Sequence, residues 1–144
     1  MTAKEYLQQV KDIDADINNM IADKADLTSL LYSIGSPSVE GDRVQTSTNG
    51  EARFETLFSK IDEKEREITQ KIDSLVDFKL KVSEEIKGLK DRRFRLILHK
   101  RYLQFMSWER IAVEMNYNRQ YVIELHGFAL QAFEKKYRDI LNKT

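Results

Sequence analysis

The chain has 144 residues and no cysteine, and its 24 Lys and Arg balance its 24 Asp and Glu, so the formal net charge is zero. This length suits one domain, or one small domain with an appendage. The lack of cysteine excludes a disulfide framework and a thiolate metal site, and no apolar run approaches the ~20 residues of a membrane span. We therefore expect a soluble, cytoplasmic protein without membrane contact.

The zero net charge conceals two halves of opposite sign. Residues 1–88 carry 12 basic and 18 acidic side chains, a net charge of −6, whereas residues 89–144 carry 12 and 6, a net charge of +6. A basic half beside an acidic half is typical of a chain with a nucleic-acid partner at one end. The acidic half should discourage indiscriminate coating of DNA, because it repels phosphates.

The first half has the pattern of two long helices. Apolar side chains recur at spacings of three and four through residues 3–34 and again through residues 51–87, which predicts two helices with a coiled-coil-like seam. Strand signals are almost absent, so we expect an all-α fold. Two such helices joined by a loop predict a long antiparallel helical hairpin over residues 1–88, with a role in oligomerisation or partner contact.

Residues 35–50 lie between the two seams and hold three of the five glycines and the only proline. Their turn-forming composition cannot continue either helix. Sixteen residues are long for a passive connection, so this segment is either mobile or a contact loop. The composition favours the mobile alternative.

The second half has the pattern of shorter, capped helices. Gly88 indicates a break, and polar residues suited to cap a helix stand at Asp91, Ser107 and Asn118. They predict helices over Arg92–Gln104, over Trp108–Met115 and from Arg119 to about Leu141, with a tight turn at 116–117. A short helix, a turn and a second helix are the pattern of a helix-turn-helix, so residues 89–144 are predicted to be a DNA-binding domain.

The last of these helices has an inner and an outer face. Its inner face is predicted to bury Val122, Leu125, Ala129, Phe133 and Ile140. The outer face presents the residues predicted to read bases, Arg119, Gln120, Ile123 and Glu124, and also Gly127, which would permit close backbone approach. Arginine can address guanine and glutamine adenine, whereas a glutamate accepts from cytosine or rejects other bases.

Further polar residues are predicted to contact DNA phosphates. Five of the ten residues 92–101 are basic, which is dense for a solvated face, although a solvated face remains the alternative explanation. The predicted phosphate contacts are Arg92, Arg93, Arg95, Lys100, Arg101, Ser107, Arg110, Asn118 and His126. For His126 a surface histidine without a role is the alternative, and Trp108 is interpreted as a core residue.

No enzyme is predicted from this sequence. It contains no glycine-rich phosphate loop, no nucleophile with a nearby base and no converging pair of carboxylates that the helical seams leave unexplained. The two histidines have no partners at metal-ligand spacing. We therefore expect no catalytic residue, metal or cofactor.

Four segments of the second half resemble region four of bacterial sigma factors. They are Arg95-Leu-Ile-Leu-His-Lys-Arg-Tyr-Leu-Gln104, Ser107-Trp-Glu-Arg-Ile-Ala112, Tyr117-Asn-Arg-Gln-Tyr-Val122 and Leu125-His-Gly-Phe-Ala-Leu130. The chain is most similar to the ArpU/RinA-like regulators of phages and integrated elements in Gram-positive bacteria. The resemblance implies a sequence-specific transcriptional activator of phage, prophage or mobile-element genes. Glu124 departs from the basic recognition helix of sigma factors, and no sigma region-two segment is present.

Three functions follow as hypotheses. The first is a DNA-binding transcription regulator whose acidic hairpin forms a homodimer or contacts RNA polymerase, with double-stranded DNA as its partner. The second is a phage genome-packaging factor of the small-terminase type, which a ring of many subunits would favour. The third is a coiled-coil adaptor that binds protein alone, but it leaves the clustered charge of residues 92–101 unexplained.

Overall fold

The computed structural model describes residues 1–35 and 47–143, and every regular element within these ranges is helical. The predicted all-α fold class is confirmed for this part of the chain. The helices are α1 (Ala3–Gly35), α2 (Ser47–Lys87), α3 (Arg92–Leu98), α4 (Trp108–Met115), α5 (Arg119–Lys136) and α6 (Arg138–Asn142), and a π-helical segment (His99–Leu103) continues α3. Within the described ranges, none of these helices has the length and apolar character needed to cross a membrane.

The two long helices extend slightly beyond the predicted ranges. Gly35 is the last residue of α1, and α2 begins at Ser47 rather than at residue 51. The predicted loop 35–50 is therefore too long at both ends. Residues 36–46 lie outside the described residues, so the mobile and contact alternatives for this loop stay predictions.

The chain divides into two compact units. We call residues 1–14 with 74–144 the terminal unit, and residues 15–73 the middle unit. The predicted boundary after residue 88 differs from this grouping, because the start of α1 and the end of α2 belong to the same unit as the basic C-terminal half. Tyr6 on α1 shows the reason: its ring centroid lies 5.5 Å from that of Phe78 on α2 and 6.0 Å from that of Phe133 on α5.

A buried carboxylate lies within the core of the terminal unit. Glu85 is 7% exposed, and its Oε1 accepts a hydrogen bond of 2.7 Å from the hydroxyl of Tyr6. Burial raises the pKa of Tyr6, and the hydrogen bond to Glu85 and the negative charge of Glu85 raise it further. The Oε2 atom of Glu85 has no hydrogen-bond partner among the described residues. The hydrogen bond from Tyr6 to Glu85 joins α1 to α2 inside the unit.

The predicted helix 92–104 forms, but not as a uniform α-helix. Asp91 caps α3 by accepting from the backbone N–H of Arg93 at 2.8 Å, as predicted. The wider π-helical turns follow and end at Leu103, and Phe105 shortly after them has a φ of 56°. A left-handed conformation is costly for a bulky residue. The ammonium of Lys79 lies 5.1 Å from the centroid of this ring.

The last helix is shorter than predicted. Instead of running to about Leu141, α5 ends at Lys136, and Tyr137 (φ −112°, ψ 30°) separates it from α6. Side-chain contacts explain the break: the hydroxyl of Tyr137 donates to the carbonyl of Glu85 at 2.5 Å, and Lys136 donates to the carbonyl of Gly88. The break also changes which of the last residues is buried. Ile140, predicted to be buried, is half-buried, and Leu141 is buried in its place.

Candidate nucleic-acid interface

Ser107, Asn116 and Asn118 define both ends of α4 and the beginning of α5. The Oγ of Ser107 accepts from the backbone N–H of Arg110 at 3.2 Å and begins α4, and Oδ1 of Asn118 accepts from the N–H of Tyr121 at 2.8 Å and begins α5. Asn116 ends α4 in the left-handed conformation, with φ 60° and ψ 43°. Asparagine adopts this conformation more readily than most residues. Both predicted caps and the predicted turn are therefore confirmed.

Packing between α4 and α5 determines which face of α5 points outward. Ile111 and Ala112 of α4 are buried, as are Val122 and Leu125 of α5. A small residue at position 112 permits two helices to approach closely. Because this inner stripe is fixed, the residues on the opposite side of the first turns of α5 are held toward solvent.

Of the four residues predicted to read bases, Gln120 and Glu124 lie opposite the buried stripe, whereas Arg119, seven residues before the buried His126, lies at its edge. Arg119, Gln120 and Glu124 are exposed, and Ile123 is half-buried. The Nε of Arg119 donates to Oε1 of Glu109 on α4 at 2.9 Å, so the guanidinium is oriented across the two helices. The pKa of Glu109 is lowered, first by a backbone N–H and then by Arg119.

The outer side of α5 stays open beyond its first two turns. Gly127 is exposed, and a Cβ added there would meet no atom of the described residues within 4 Å. Phe128, which follows it, is 58% exposed. We call the side formed by Arg119, Gln120, Glu124 and Gly127 the outer face of α5.

Three of the predicted phosphate-contacting residues come together in one place. Arg92, Arg93 and Lys100 line an open depression of about 450 Å³, together with Leu96, Glu114, Met115 and Tyr117. We call this surface the basic depression. It joins α3 and the π-helical segment to the end of α4, so residues far apart in the sequence supply its charge.

Hydrogen bonds position the cations on one side of the basic depression. Nη1 of Arg93 donates to the hydroxyl of Tyr121 at 2.8 Å, and Nη2 lies 3.1 Å from Oδ2 of Asp91. The side-chain hydrogen bond from Arg93 lowers the pKa of Asp91. Arg92 is exposed and forms no ion pair with any described residue.

A single carboxylate holds two cations on the other side. Lys100 Nζ lies 3.1 Å from Oε1 of Glu114, and Arg110 Nε lies 3.2 Å from Oε2. The hydrogen bond from Lys100 lowers the pKa of Glu114 most, and the positive charges of Lys100 and Arg110 lower it further. One negative charge between two positive charges leaves this side cationic. Arg110 thus joins the edge of the basic depression through Glu114.

Two predicted phosphate contacts are directed to the backbone of the protein itself. Nη1 of Arg95 donates to the carbonyls of Leu89 and Lys90 at 2.7 and 2.8 Å. Nη1 of Arg101 donates to the carbonyl of Met106 at 2.9 Å, and its guanidinium lies 4.1 Å from the centroid of the Trp108 ring. Both arginines satisfy carbonyls of the short segments that connect helices.

His126 requires a correction. It is 8% exposed, and its Nε2 lies 2.7 Å from the hydroxyl of Tyr102. Burial, assisted by the positive charges of Arg101 and Lys4, lowers the pKa of His126 to about 4, so the imidazole is neutral at pH 7. A buried, neutral ring cannot bind a phosphate outside, and we remove His126 from the predicted contacts. Trp108, expected in the core, is half-buried with its ring against His126 at 4.6 Å.

Several residues of this surface were not found from the sequence. Glu109 and Glu114 orient the cations, and Tyr121 holds Arg93. The spacing of four between Arg110 and Glu114 is a local signal that indicates their pairing. The contacts of Lys100 with Glu114 and of Arg93 with Tyr121 join residues far apart in the chain, and no local pattern indicates them.

The described residues contain no group of three or more His, Asp or Glu arranged to hold a metal ion. Comparisons of the chain with protein-family models, with curated proteins and with solved structures find no match.

Proposed function

We propose that this chain is a sequence-specific DNA-binding transcription regulator. In this proposal α4, the turn at Asn116 and α5 form a helix-turn-helix, and α5 enters the major groove. The observation that carries the proposal is the outer face of α5, where Gln120 and Glu124 lie opposite the buried stripe and Arg119 is exposed at its edge. The capping bonds of Ser107 and Asn118 support it, because they fix where each helix begins.

The outer face of α5 has suitable chemistry for base recognition. Arginine pairs with guanine O6 and N7, glutamine with adenine N6 and N7, and a glutamate accepts from cytosine N4. The contact with Glu109 engages Nε of Arg119 and leaves its two terminal nitrogens without a hydrogen-bond partner among the described residues. These two nitrogens are the pair that a bidentate guanine contact requires.

The basic depression supplies a complementary role. Its cations lie on α3, on the π-helical segment and on α4, and in the proposal they bind phosphates beside the base contacts. Arg93 and Lys100 are already oriented by Tyr121 and Glu114, so less side-chain freedom is lost on binding. Arg95, Arg101 and His126 have structural roles instead.

The biological setting rests on the resemblance to ArpU/RinA-like regulators. On that basis we propose activation of phage or mobile-element genes, with RNA polymerase as a protein partner.

The direct test removes two side chains of the outer face. Arg119→Ala combined with Gln120→Ala is expected to weaken binding to a duplex selected by the wild-type protein by at least about 30-fold, since each good base contact contributes ~1–3 kcal/mol. The matched control is Gln131→Ala with Lys135→Ala, which removes the same charge from exposed positions later on α5. Fluorescence anisotropy measures the affinity, and circular dichroism checks that helicity is unchanged.

The same titrations, repeated at several salt concentrations, examine the basic depression. With four phosphates neutralised by Arg92, Arg93, Lys100 and Arg110, the slope of log K against log salt is expected to be about −3.6. Equal losses in the test and control variants, or an affinity that salt does not change, would contradict the proposal.

A further inference from the structure

The middle unit leaves nearly half of its described large apolar side chains exposed and buries few of them. Among its described side chains, Ile17 and Ile68 are buried. The exposed ones include Ile21 (47%), Tyr32 (74%), Phe54 (41%), Phe58 (59%) and Ile72 (42%). Two helices form one layer, and one layer cannot cover both of its own sides. The terminal unit, in contrast, buries large residues from α1 to α6.

These exposed residues form a row on each helix. Phe54 and Ile72 are separated by about five full turns, so they lie on one line along α2. Phe58 is about one turn after Phe54, and the two rings are stacked with centroids 6.4 Å apart. On α1, Ile21 and Tyr32 are separated by about three turns and form a second line.

Contacts within the middle unit show that both rows lie on the same side. Glu65 belongs to the row on α2, about three turns after Phe54, and its Oε1 lies 2.8 Å from Nζ of Lys24 on α1. Around the axis of α1, Leu30 points in a direction about 180° away from that of Ile21. Leu30 lines a depression together with Ala52, Arg53, Thr56 and Leu57 of α2. This depression marks the side of the two helices opposite to the two rows.

We call the side formed by Ile21, Tyr32, Phe54, Phe58 and Ile72 the apolar face. With about 200 Å² for each large side chain, it exposes roughly 500 Å² of apolar surface. A stable interface buries about 800 Å² on each partner, of which a little over half is apolar. The apolar face therefore matches one half of a standard interface in area.

The charge within this face favours a second copy as the occupant. Lys24 and Glu65 neutralise each other inside one chain, so this pair adds no net charge where two identical faces meet. On the flank of the row, Arg66 is likewise paired with Asp62 at 2.9 Å. A face that is apolar and balanced is self-complementary, whereas a nucleic acid requires a cationic one.

We propose that the apolar face of the middle unit binds the same face of a second copy of this chain in a two-fold dimer. Four helices then form two layers, and each chain covers the exposed row of the other. The inference goes beyond DNA recognition and does not depend on it, since the apolar face contains no residue of the outer face of α5 or of the basic depression.

The test measures self-association of the full chain without DNA by sedimentation velocity. The wild-type protein is expected to be a dimer at micromolar concentration. Phe58→Ser and, separately, Tyr32→Ser are each expected to raise the dimer dissociation constant at least ~10-fold, as for an aromatic residue at the centre of an interface. Val113→Ser is the matched control, because Val113 is 80% exposed on α4 in the terminal unit. Circular dichroism follows helicity in all variants.

Two results would overturn the inference. One is a wild-type protein that remains monomeric up to about 50 µM, well above the range in which an interface of this area associates. The other is a dimer that neither Phe58→Ser nor Tyr32→Ser weakens relative to Val113→Ser. Loss of DNA binding in the Arg119 and Gln120 variant leaves this test unaffected, so the two proposals fail independently.

Discussion

His126 illustrates at the residue scale how burial decides the role of an ionisable side chain. Its ring is stacked on Tyr102, with centroids 5.6 Å apart, and meets the ring of Trp108 at an angle of 65°. The hydroxyl of Tyr102 is itself buried, and burial raises the pKa of Tyr102 to about 12. The pair therefore stays uncharged across the physiological range and helps hold α5 against the π-helical segment.

The neutral state of His126 predicts a loss of stability in mild acid. Its folded pKa of about 4 is below the ordinary value of 6.5, so the fold favours the neutral form. The unfolding free energy that the neutral imidazole contributes is fully present above pH 6.5 and is lost as the pH falls toward 4. Between pH 7 and pH 4.5 the wild-type protein should lose about 2 kcal/mol more unfolding free energy than His126→Gln, which can still accept from Tyr102.

Urea denaturation at the two pH values measures this difference. His99→Gln is the control, because His99 is only half-buried, although burial lowers its pKa as well. It should retain most of the acid sensitivity of the wild type. An equal loss in wild type and His126→Gln would show that the imidazole does not contribute.

Individual residue roles were only partly predictable from the sequence. Helix caps are local, so Asp91, Ser107 and Asn118 were identified correctly from residue type and position. The direction of a cationic side chain is not local. Arg95 binds carbonyls while Arg93, two residues earlier, lines the basic depression, and the difference depends on which neighbours the fold supplies.

At the scale of the element, α5 combines a buried stripe with an open outer face. Gly127 is the weakest helix former in the interior of α5, and a Cβ added at this position would meet nothing within 4 Å. The free protein therefore gives no steric reason for glycine at this position. Close approach of the helix backbone to DNA is a reason that the proposed function supplies.

Substitution of Gly127 by alanine separates the two explanations. Gly127→Ala should raise the unfolding free energy by about 1 kcal/mol, because alanine is the better helix former. It should also weaken binding to the selected duplex roughly 10-fold, a loss of about 1.4 kcal/mol. Thermal denaturation and anisotropy titrations measure the two effects. Gln131→Ala, exposed one turn later, should change neither appreciably. A variant that is more stable and binds DNA as well as the wild type would exclude the close approach.

Helices were predicted well from the sequence where local signals define them. The range of α4 and the beginnings of α3 and α5 follow from caps and periodicity. The break at Tyr137 does not, because it depends on hydrogen bonds to the carbonyls of Glu85 and Gly88 far earlier in the chain. The π-helical turns after Leu98 likewise carry no local signature that we can identify.

At the scale of the whole molecule, the two proposals place DNA binding and dimer formation in different units. The terminal unit contains the outer face of α5 and the basic depression, and the middle unit contains the apolar face. The division could not be obtained from composition, because the charge changes sign near residue 88 while the core of the terminal unit includes Tyr6 and Ile86. Apolar periodicity predicts that α1 and α2 pack, but not which other helices each end contacts.

Sequence-specific DNA binding through the outer face of α5 is the central claim, and selection of binding sites tests it most directly. Random-sequence duplexes are passed over the immobilised full chain, and the retained fraction is sequenced after several rounds. We predict that the wild-type protein enriches one common sequence and that the Arg119→Ala and Gln120→Ala variant enriches none. Retention without a common sequence, or the same enriched sequence from both proteins, would contradict the claim.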